Sequence, residues 1–89
     1  MAKSLDISTR RKYLEYLSRR RGTKELDLFL GAFAERNLST FDSAELEEYE
    51  EILTMEDTDL WAWLTSKRPL PKSLNRPVMN LLMKMKYRA

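Results

Sequence analysis

The amino-acid sequence predicts an all-α fold, a small bundle of five helices in a single domain. Apolar residues recur with the spacing of one helical face, as in the stripe of Leu26, Phe29 and Phe33, whereas no stretch alternates apolar and polar residues as a half-buried strand does. Residues that cap or break helices separate five such segments. A chain of 89 residues buries a little over ~60% of its unfolded surface, which suffices for one small core.

The first helix is expected to follow a flexible tail over residues 1–7. Ser8 or Thr9 supplies its N-cap, since a side-chain hydroxyl accepts a hydrogen bond from the unpaired N–H groups of the first turn. The helix runs to about Arg20. Gly22 then breaks it, because glycine enters the left-handed region of φ without a Cβ penalty.

The second helix is expected to run from about Thr23, its N-cap, to Arg36. Glu25 in its first turn lies near the positive end of the helix dipole. Gly31 in the helix interior costs up to ~1 kcal/mol against alanine. This glycine therefore indicates a close contact between helices.

The third helix is expected to follow a loop over residues 37–41 and to run to about Thr54. Asp42, with Glu45 three residues later, has the pattern of a capping box. Ser43 is the other candidate for the N-cap.

Five glutamates lie between residues 45 and 51. Such a run is typical of a solvated helix face. We therefore expect Glu47→Ala and Glu48→Ala to leave both folding and partner binding nearly unchanged.

The fourth helix is expected to be short, from an Asp57 cap to about Ser66. The prolines that follow end it, because proline disfavours the α conformation at the residue before it. A fifth helix begins at Ser73 or Asn75. Pro77 is tolerated only in a first turn, which favours Asn75 as the cap.

Two tryptophans in the fourth helix are candidates for an interface. Trp61 and Trp63 are two residues apart, so they point in different directions. Leu60, Trp61 and Leu64 share one stripe, and we expect one tryptophan to lie in the core and the other to be partly exposed. The exposed one packs against the loop at residues 69–71 or anchors a partner, since tryptophan is enriched at binding hot spots.

Charge is strongly segregated along the chain although the net charge is only +2. Residues 42–59 contain nine acids and no lysine or arginine, residues 10–24 contain seven cations and one acid, and residues 67–89 contain seven cations and no acid. This pattern predicts a strong dipole, which influences partner binding more than the fold. Nucleic-acid binding through the basic first and last helices is one interpretation, and the near-neutral net charge and the acidic face count against it.

The composition excludes several classes of function. There is no histidine and no cysteine, which removes the usual general base, the thiolate nucleophile and the commonest transition-metal ligands. No glycine-rich phosphate loop is present, so we expect no catalytic residue, no metal site and no stably bound cofactor. No apolar run approaches the ~20 residues of a membrane span, so we expect no membrane insertion.

The stretch from Arg19 to Asp27 joins the first two helices and presents both charge signs over a small surface. A helix C-cap with arginines that complement the helix dipole explains this pattern without any partner. A rigid polar docking corner is the functional interpretation. Arg21 and Glu25 are expected to form at most an exposed pair worth ~0–1 kcal/mol, so that alanine at either position hardly changes folding. The candidate partner-binding residues are Arg20, Arg21, Gly22, Lys24, Glu25 and Asp27.

Two motifs in this chain resemble those of a known family. The pentapeptide Arg21-Gly22-x-x-Glu25 resembles the RGxxE signature of the SdhE family, small bacterial assembly factors for the flavoprotein subunit of succinate dehydrogenase that have mitochondrial relatives. Residues 57–64, which read Asp-Thr-Asp-Leu-Trp-Ala-Trp-Leu, resemble the acidic and aromatic fourth-helix segment of the family. The order and spacing of the two motifs fit over residues 10–74, most of the chain.

The resemblance implies an assembly factor that binds the flavoprotein subunit of succinate dehydrogenase, or of fumarate reductase, and promotes its covalent attachment of FAD. FAD belongs to the partner, whose histidine, flavin and dicarboxylate the factor would hold in alignment without doing bond chemistry itself. Arg21, Gly22 and Glu25 are the positions that carry over from the motif, with Asp27 beside them. We expect a monomer in the bacterial cytoplasm. An antitoxin-like regulator, a label that the family has also carried, and a nucleic-acid-binding protein are the alternatives.

Overall fold

Five α-helices make up the computed structural model, which describes residues 6–85. They are α1 (Ile7–Ser18), α2 (Lys24–Asn37), α3 (Ser43–Leu53), α4 (Asp57–Leu64) and α5 (Pro77–Met85), with short 3-10 turns at Leu38–Thr40 and Lys72–Leu74. Residues 6–85 contain no strand, so the predicted all-α bundle is confirmed. None of these helices is long and apolar enough to cross a bilayer.

The core lies between the five helices, each of which contributes buried side chains. Helix α1 contacts both α2 and α3, and α3 also contacts α5. At the centre, the ring of Phe33 lies 5.4 Å from that of Tyr49 and 6.1 Å from that of Phe41, measured between centroids. All three side chains are buried, so this aromatic group joins α2 to α3 and to the loop between them.

The predicted N-caps of α2 and α3 are confirmed. Thr23 accepts a hydrogen bond from the N–H of Leu26. Asp42 accepts one from the N–H of Glu45, whose own carboxylate accepts from the N–H of Asp42. Both bonds of this capping box are 2.9 Å long. These caps connect residues three positions apart, which is why a local sequence pattern finds them.

The first helix begins earlier than predicted. Its cap is Asp6, whose carboxylate accepts a hydrogen bond from the N–H of Thr9 at 2.7 Å, and neither Ser8 nor Thr9 is the cap. This hydrogen bond lowers the pKa of Asp6. Residues 6 and 7 therefore belong to the fold, and the rest of the predicted tail, residues 1–5, lies outside the described residues.

Helix α4 ends before the predicted boundary. Ser66, expected inside the helix, has a φ of 62°, and the N–H of Lys67 donates to the carbonyl of Ala62 at 2.8 Å. A residue in the left-handed conformation ends the helix in this way. The helix therefore stops at Leu64, upstream of the prolines that were expected to end it.

Helix α5 begins at Pro77 and not at an Asn75 cap. Asn75 closes the preceding 3-10 turn, since its N–H donates to the carbonyl of Lys72 at 3.1 Å. Proline fits the first helical position because its missing N–H would have no partner there.

The first turn of α5 is capped from another helix. Glu48 on α3 is 5% exposed, and its Oε2 accepts a hydrogen bond from the N–H of Met79 at 2.9 Å. This N–H has no intrahelical partner, so the carboxylate satisfies it. The expectation that Glu48 belongs to a solvated face is therefore wrong, and Glu48→Ala is unsuitable as a neutral control. Glu47 is exposed and keeps that role.

Gly31 marks a close approach to α2, as expected of a glycine inside a helix, but the approaching group is the side chain of Arg19, the C-cap residue of α1. A Cβ at this position would lie 2.8 Å from Nη1 and 3.2 Å from Cγ of Arg19. The Arg19 side chain crosses α2 directly over the glycine and reaches Glu35 at 3.7 Å. A side chain at position 31 would displace this arginine.

A buried hydrogen bond joins α1 to α3. Ser18 Oγ donates to the carbonyl of Leu14 at 2.7 Å and lies 2.6 Å from the hydroxyl of Tyr49. Burial raises the pKa of Tyr49 to about 12, although the hydrogen bond to Ser18 and the charge of Arg21 act in the opposite direction.

This raised pKa predicts a loss of stability in alkaline solution. A tyrosine in the unfolded chain titrates near ~10, so the contribution of Tyr49 is fully present below pH ~10 and is lost as the pH rises towards 12. At pH 11 the loss should be on the order of 1 kcal/mol. Urea unfolding at pH 8 and pH 11 should show this loss in the parent and not in Tyr49→Phe. Tyr13→Phe, at a half-exposed tyrosine, is the matched control, and an equal loss in all three proteins would contradict the prediction.

Candidate functional site

Arg21 fixes the turn between α1 and α2 to the junction of α3 and α4. Its Nε donates to Oδ1 of Asp57 at 2.8 Å, and Nη2 lies 2.7 Å from the same oxygen. Nη1 donates to the carbonyl of Leu53 at 2.5 Å, and Nη2 donates to the carbonyl of Met55 at 2.6 Å. We call these contacts the Arg21–Asp57 bridge.

The Arg21–Asp57 bridge has a clear chemical reason. Leu53 is the last residue of α3, so its carbonyl is one of those that have no intrahelical donor. A planar guanidinium with five N–H donors can satisfy two carbonyls and a carboxylate together. The Arg21 side chain is 12% exposed and that of Asp57 is 28% exposed, so the bridge is largely shielded from water.

The expected exposed pair of Arg21 and Glu25 is therefore wrong. The guanidinium of Arg21 points to the junction of α3 and α4, away from Glu25. Glu25 is exposed, and among residues 6–85 no hydrogen bond or ion pair of its carboxylate is found. Two residues that the sequence motif groups together thus have different structural roles.

Gly22 is required for a different reason from the one predicted. No glycine among the described residues has a positive φ, so the expected left-handed turn is wrong. Instead the N–H of Gly22 donates to Oδ2 of Asp57 at 2.8 Å, and a Cβ on Gly22 would lie 2.7 Å from the same oxygen. The glycine allows a carboxylate to approach the backbone.

Asp27 holds the same turn from the other side. Its Oδ1 accepts a hydrogen bond from the N–H of Arg21 at 2.5 Å. Two successive N–H groups, of Arg21 and Gly22, are therefore bound by carboxylates from α2 and α4. The corner is rigid because both of its backbone donors are fixed.

Asp57 does not cap α4 as predicted. Glu56 occupies the N-cap position and makes no side-chain capping bond. The carboxylate of Asp57 is bound to Arg21 and Gly22 instead. The start of α4 is thereby tied to the start of α2.

A groove of about 280 Å³ lies beside the contacts of Asp57 with Arg21 and Gly22, between the first turns of α2 and α4. We call it the α2–α4 groove. Two of the predicted site residues, Glu25 and Trp61, line this groove. Its lining does not include Trp63, Arg20 or Lys24. The groove is lined by Thr23, Glu25, Leu26, Asp57, Thr58 and Trp61. Thr23 and Thr58 were not predicted as site residues, since nothing local distinguishes them from ordinary first-turn residues.

The two tryptophans are both half-buried, so the expectation that one of them lies in the core is wrong. Leu60 and Leu64 are 1% and 5% exposed and form the buried face of α4. At 100° per residue, Trp61 and Trp63 lie about 80° to either side of that face. Both pack against the edge of the core, and only Trp61 faces the groove.

Two cations remain on the surface of the corner. Arg20 and Lys24 are exposed, and in the part of the chain that the structure describes neither forms an ion pair. The guanidinium carbon of Arg20 lies 4.7 Å from the centroid of the Tyr16 ring. This contact leaves the donors of Arg20 available.

Other cations of α1 are bound within the fold. Arg11 donates to the carbonyls of Leu38 and Phe41 at 2.7 and 2.8 Å. Arg10 pairs with Glu50 at 3.4 Å. Fewer cations of α1 are therefore available to bind the phosphates of a nucleic acid.

Within residues 6–85 no group of His, Cys, Asp or Glu side chains could hold a metal ion.

Comparison with known proteins finds a family and relatives that this chain resembles. A family profile described as "Flavinator of succinate dehydrogenase" matches residues 12–86. A protein of Acetobacter pasteurianus named FAD assembly factor SdhE is 36% identical over 74 residues, which cover 83% of this chain and 68% of that protein. The mitochondrial succinate dehydrogenase assembly factor 2 of Debaryomyces hansenii is 42% identical over 80 residues, and factor 2-A of Drosophila yakuba is 35% identical over 80 residues. The matched regions cover 85% and 88% of this chain but only 56% and 49% of those relatives.

Proposed function

This chain belongs to the family of succinate dehydrogenase flavinators, and on that basis we propose that it is an assembly factor that promotes covalent FAD attachment to the flavoprotein subunit of succinate dehydrogenase. One observation carries the proposal: the family match over residues 12–86 contains every residue of the rigid corner and of the α2–α4 groove. The matched region thus includes the turn that the Arg21–Asp57 bridge holds in place.

The proposed role is to bind and align the partner. The flavin belongs to the flavoprotein, and this chain has no histidine or cysteine of its own for bond formation. Its relatives are named assembly factors, which supports a role without catalysis. One copy of the chain would dock on one flavoprotein, of succinate dehydrogenase or of fumarate reductase. The bacterial cytoplasm is the compartment we propose, supported by the likeness to the Acetobacter pasteurianus protein, although other relatives are named mitochondrial.

The docking surface we propose is the exposed part of the corner. Arg21 and Asp27 are occupied within the fold, so they hold the turn in shape. Gly22, Lys24 and Glu25 are exposed beside them. Arg20 and the groove face of Trp61 extend this surface, and Trp63 lies on the opposite flank of α4.

Reconstitution of flavinylation tests the proposal. The apo-flavoprotein subunit of succinate dehydrogenase is incubated with FAD and a dicarboxylate, with and without the purified chain, and covalent flavin is measured by its fluorescence in a denaturing gel. We expect the chain to accelerate the reaction and Glu25→Ala to lose most of this effect, while Glu47→Ala behaves as the parent. Equal covalent flavin with and without the chain would show that the proposed function is wrong.

Two further measurements belong to this experiment. The melting temperature of Glu25→Ala should stay within a few degrees of the parent, because the Glu25 carboxylate makes no intramolecular bond among the described residues. The purified chain should also be colourless, and stoichiometric flavin absorbance after desalting would contradict the assignment of FAD to the partner.

A further inference from the structure

Within this proposed function, we infer that the α2–α4 groove receives one arginine or lysine side chain of the flavoprotein. The groove has a volume of about 280 Å³, below the ~300–1,000 Å³ of sites that enclose a whole small ligand. A single long side chain fits in a groove of this size.

The charges around the groove favour a cation. Asp57 and Glu25 are the two acids in the lining. The charge of Asp57 is matched by Arg21 at 2.7 Å, whereas Glu25 is exposed and has no intramolecular ion pair within residues 6–85. Glu25 is thus the uncompensated charge of the groove, and a carboxylate from the partner would be repelled by it.

The apolar part of the lining suits the stem of such a side chain. Leu26 is completely buried beneath the groove, and half-buried Trp61 forms its wall. Arginine and lysine bury an aliphatic stem against apolar surface while their charged head stays near polar groups. A cation beside the tryptophan ring gains a further electrostatic attraction. The carboxylate of Glu25 therefore suits the charged head of a basic side chain, and Leu26 and the ring of Trp61 suit its aliphatic stem.

The rigidity of the corner strengthens this inference. Thr23 caps α2 through Leu26, and Asp57 binds Arg21 and Gly22. Both walls of the groove are held by these bonds before any partner arrives. A preformed site of this kind loses little conformational freedom on binding.

Affinity for the apo-flavoprotein tests the inference, with charge variants at Glu25 and matched variants at Glu47. Glu25→Gln keeps a hydrogen-bond acceptor and removes the charge, and Glu25→Lys reverses the charge. We expect dissociation constants at least about tenfold weaker for Glu25→Gln and about a hundredfold weaker for Glu25→Lys. Glu47→Gln and Glu47→Lys change the net charge equally on exposed α3 surface, and should stay within about twofold of the parent.

A second pair of variants tests the wall of the groove. Trp61→Phe keeps an aromatic face for the cation and should bind within about threefold of the parent, whereas Trp61→Leu should lose about tenfold. The salt dependence of binding should also be smaller for Glu25→Gln than for the parent, because one charge pair has been removed.

The possible outcomes separate the inference from the function on which it rests. If the parent binds the flavoprotein and Glu25→Gln binds equally well, the groove receives a neutral donor and the inference is wrong while the function stands. If Glu25→Lys binds as well as the parent, no basic side chain enters the groove. If the parent itself does not bind, the proposed function is wrong and the inference is lost with it.

Discussion

Arg21→Ala is expected to lower the melting temperature by roughly 10–30 °C, the largest effect of any single substitution we predict. The substitution removes every donor of the Arg21–Asp57 bridge. The carbonyls of Leu53 and Met55 then lose the donors that Arg21 supplied, and the carboxylate of Asp57 keeps only the N–H of Gly22. Unpaired polar groups in a shielded site are more costly than the pair is stabilising.

The size of this effect follows from the burial of the bridge. Breaking a fully buried ion pair by removing one partner costs ~3–5 kcal/mol. Arg21 and Asp57 are 12% and 28% exposed, so water compensates part of the loss and we expect roughly 2–4 kcal/mol. For a chain of this size each 1 kcal/mol corresponds to roughly 4–8 °C. Such a loss is a large fraction of the ~5–15 kcal/mol that stabilises a typical domain.

Thermal denaturation followed by circular dichroism measures this prediction, and Arg20→Ala is its matched control. Arg20 is the preceding arginine and is exposed, and its guanidinium lies over the ring of Tyr16. It should melt within a few degrees of the parent. Arg21→Lys should recover only part of the stability, because an ammonium cannot reproduce the fork of the guanidinium. A melting temperature of Arg21→Ala equal to that of Arg20→Ala would contradict the role of the bridge.

The bridge also shows why sequence reasoning misjudged Arg21. The arginine was expected to be exposed, because an arginine at a helix C-terminus is usually explained by the helix dipole. Its actual partners, at positions 53, 55 and 57, lie 32 to 36 residues away along the chain. No local spacing rule connects residues that far apart. The same limit applies to Glu48, whose partner Met79 is 31 residues away.

Features determined by neighbouring residues were predictable. The caps at Thr23 and Asp42 connect residues three positions apart, and the helices they begin were placed within about one residue. The buried stripe of α2 follows from helical periodicity alone. Gly31 was recognised because glycine inside a helix requires a packing reason.

The sequence identified some residues of the candidate site but not how they are arranged in space. The motif identified Glu25, and the aromatic segment identified Trp61, but only the folded chain shows that these two line one groove. The prediction that one tryptophan lies in the core was wrong, because Leu60 and Leu64 already fill the buried face of α4, a helix of eight residues.

Gly22→Ala is expected to destabilise the protein by roughly 1–3 kcal/mol, through a steric conflict and not through backbone strain. The added Cβ would lie 2.7 Å from Oδ2 of Asp57. This oxygen cannot move away freely, since Asp57 is held by Arg21 and by the N–H of Gly22 itself. The carboxylate must shift, and the Arg21–Asp57 bridge weakens with it.

A double-mutant cycle with Asp57→Ala separates the steric explanation from one in which glycine is needed for its backbone conformation. Without the carboxylate the Cβ of alanine has open space, so Gly22→Ala should cost less than ~0.5 kcal/mol in the Asp57→Ala background. If glycine were needed for its backbone conformation, the cost would be the same in both backgrounds. Urea unfolding of the four proteins gives the coupling energy, and a value near zero would contradict the steric explanation.

Gly22→Ala should reduce flavinylation of the partner more than it reduces the stability of the fold. A displaced Asp57 moves the start of α4 relative to α2, and the α2–α4 groove lies between them. A shift of a few tenths of an ångström there changes the distance between Glu25 and Trp61, which we propose to contact one partner side chain. Flavinylation of the apo-flavoprotein, measured well below the melting temperature of the variant, should therefore fall severely in Gly22→Ala. Since the variant is folded under these conditions, normal flavinylation would show that the corner does not dock the flavoprotein.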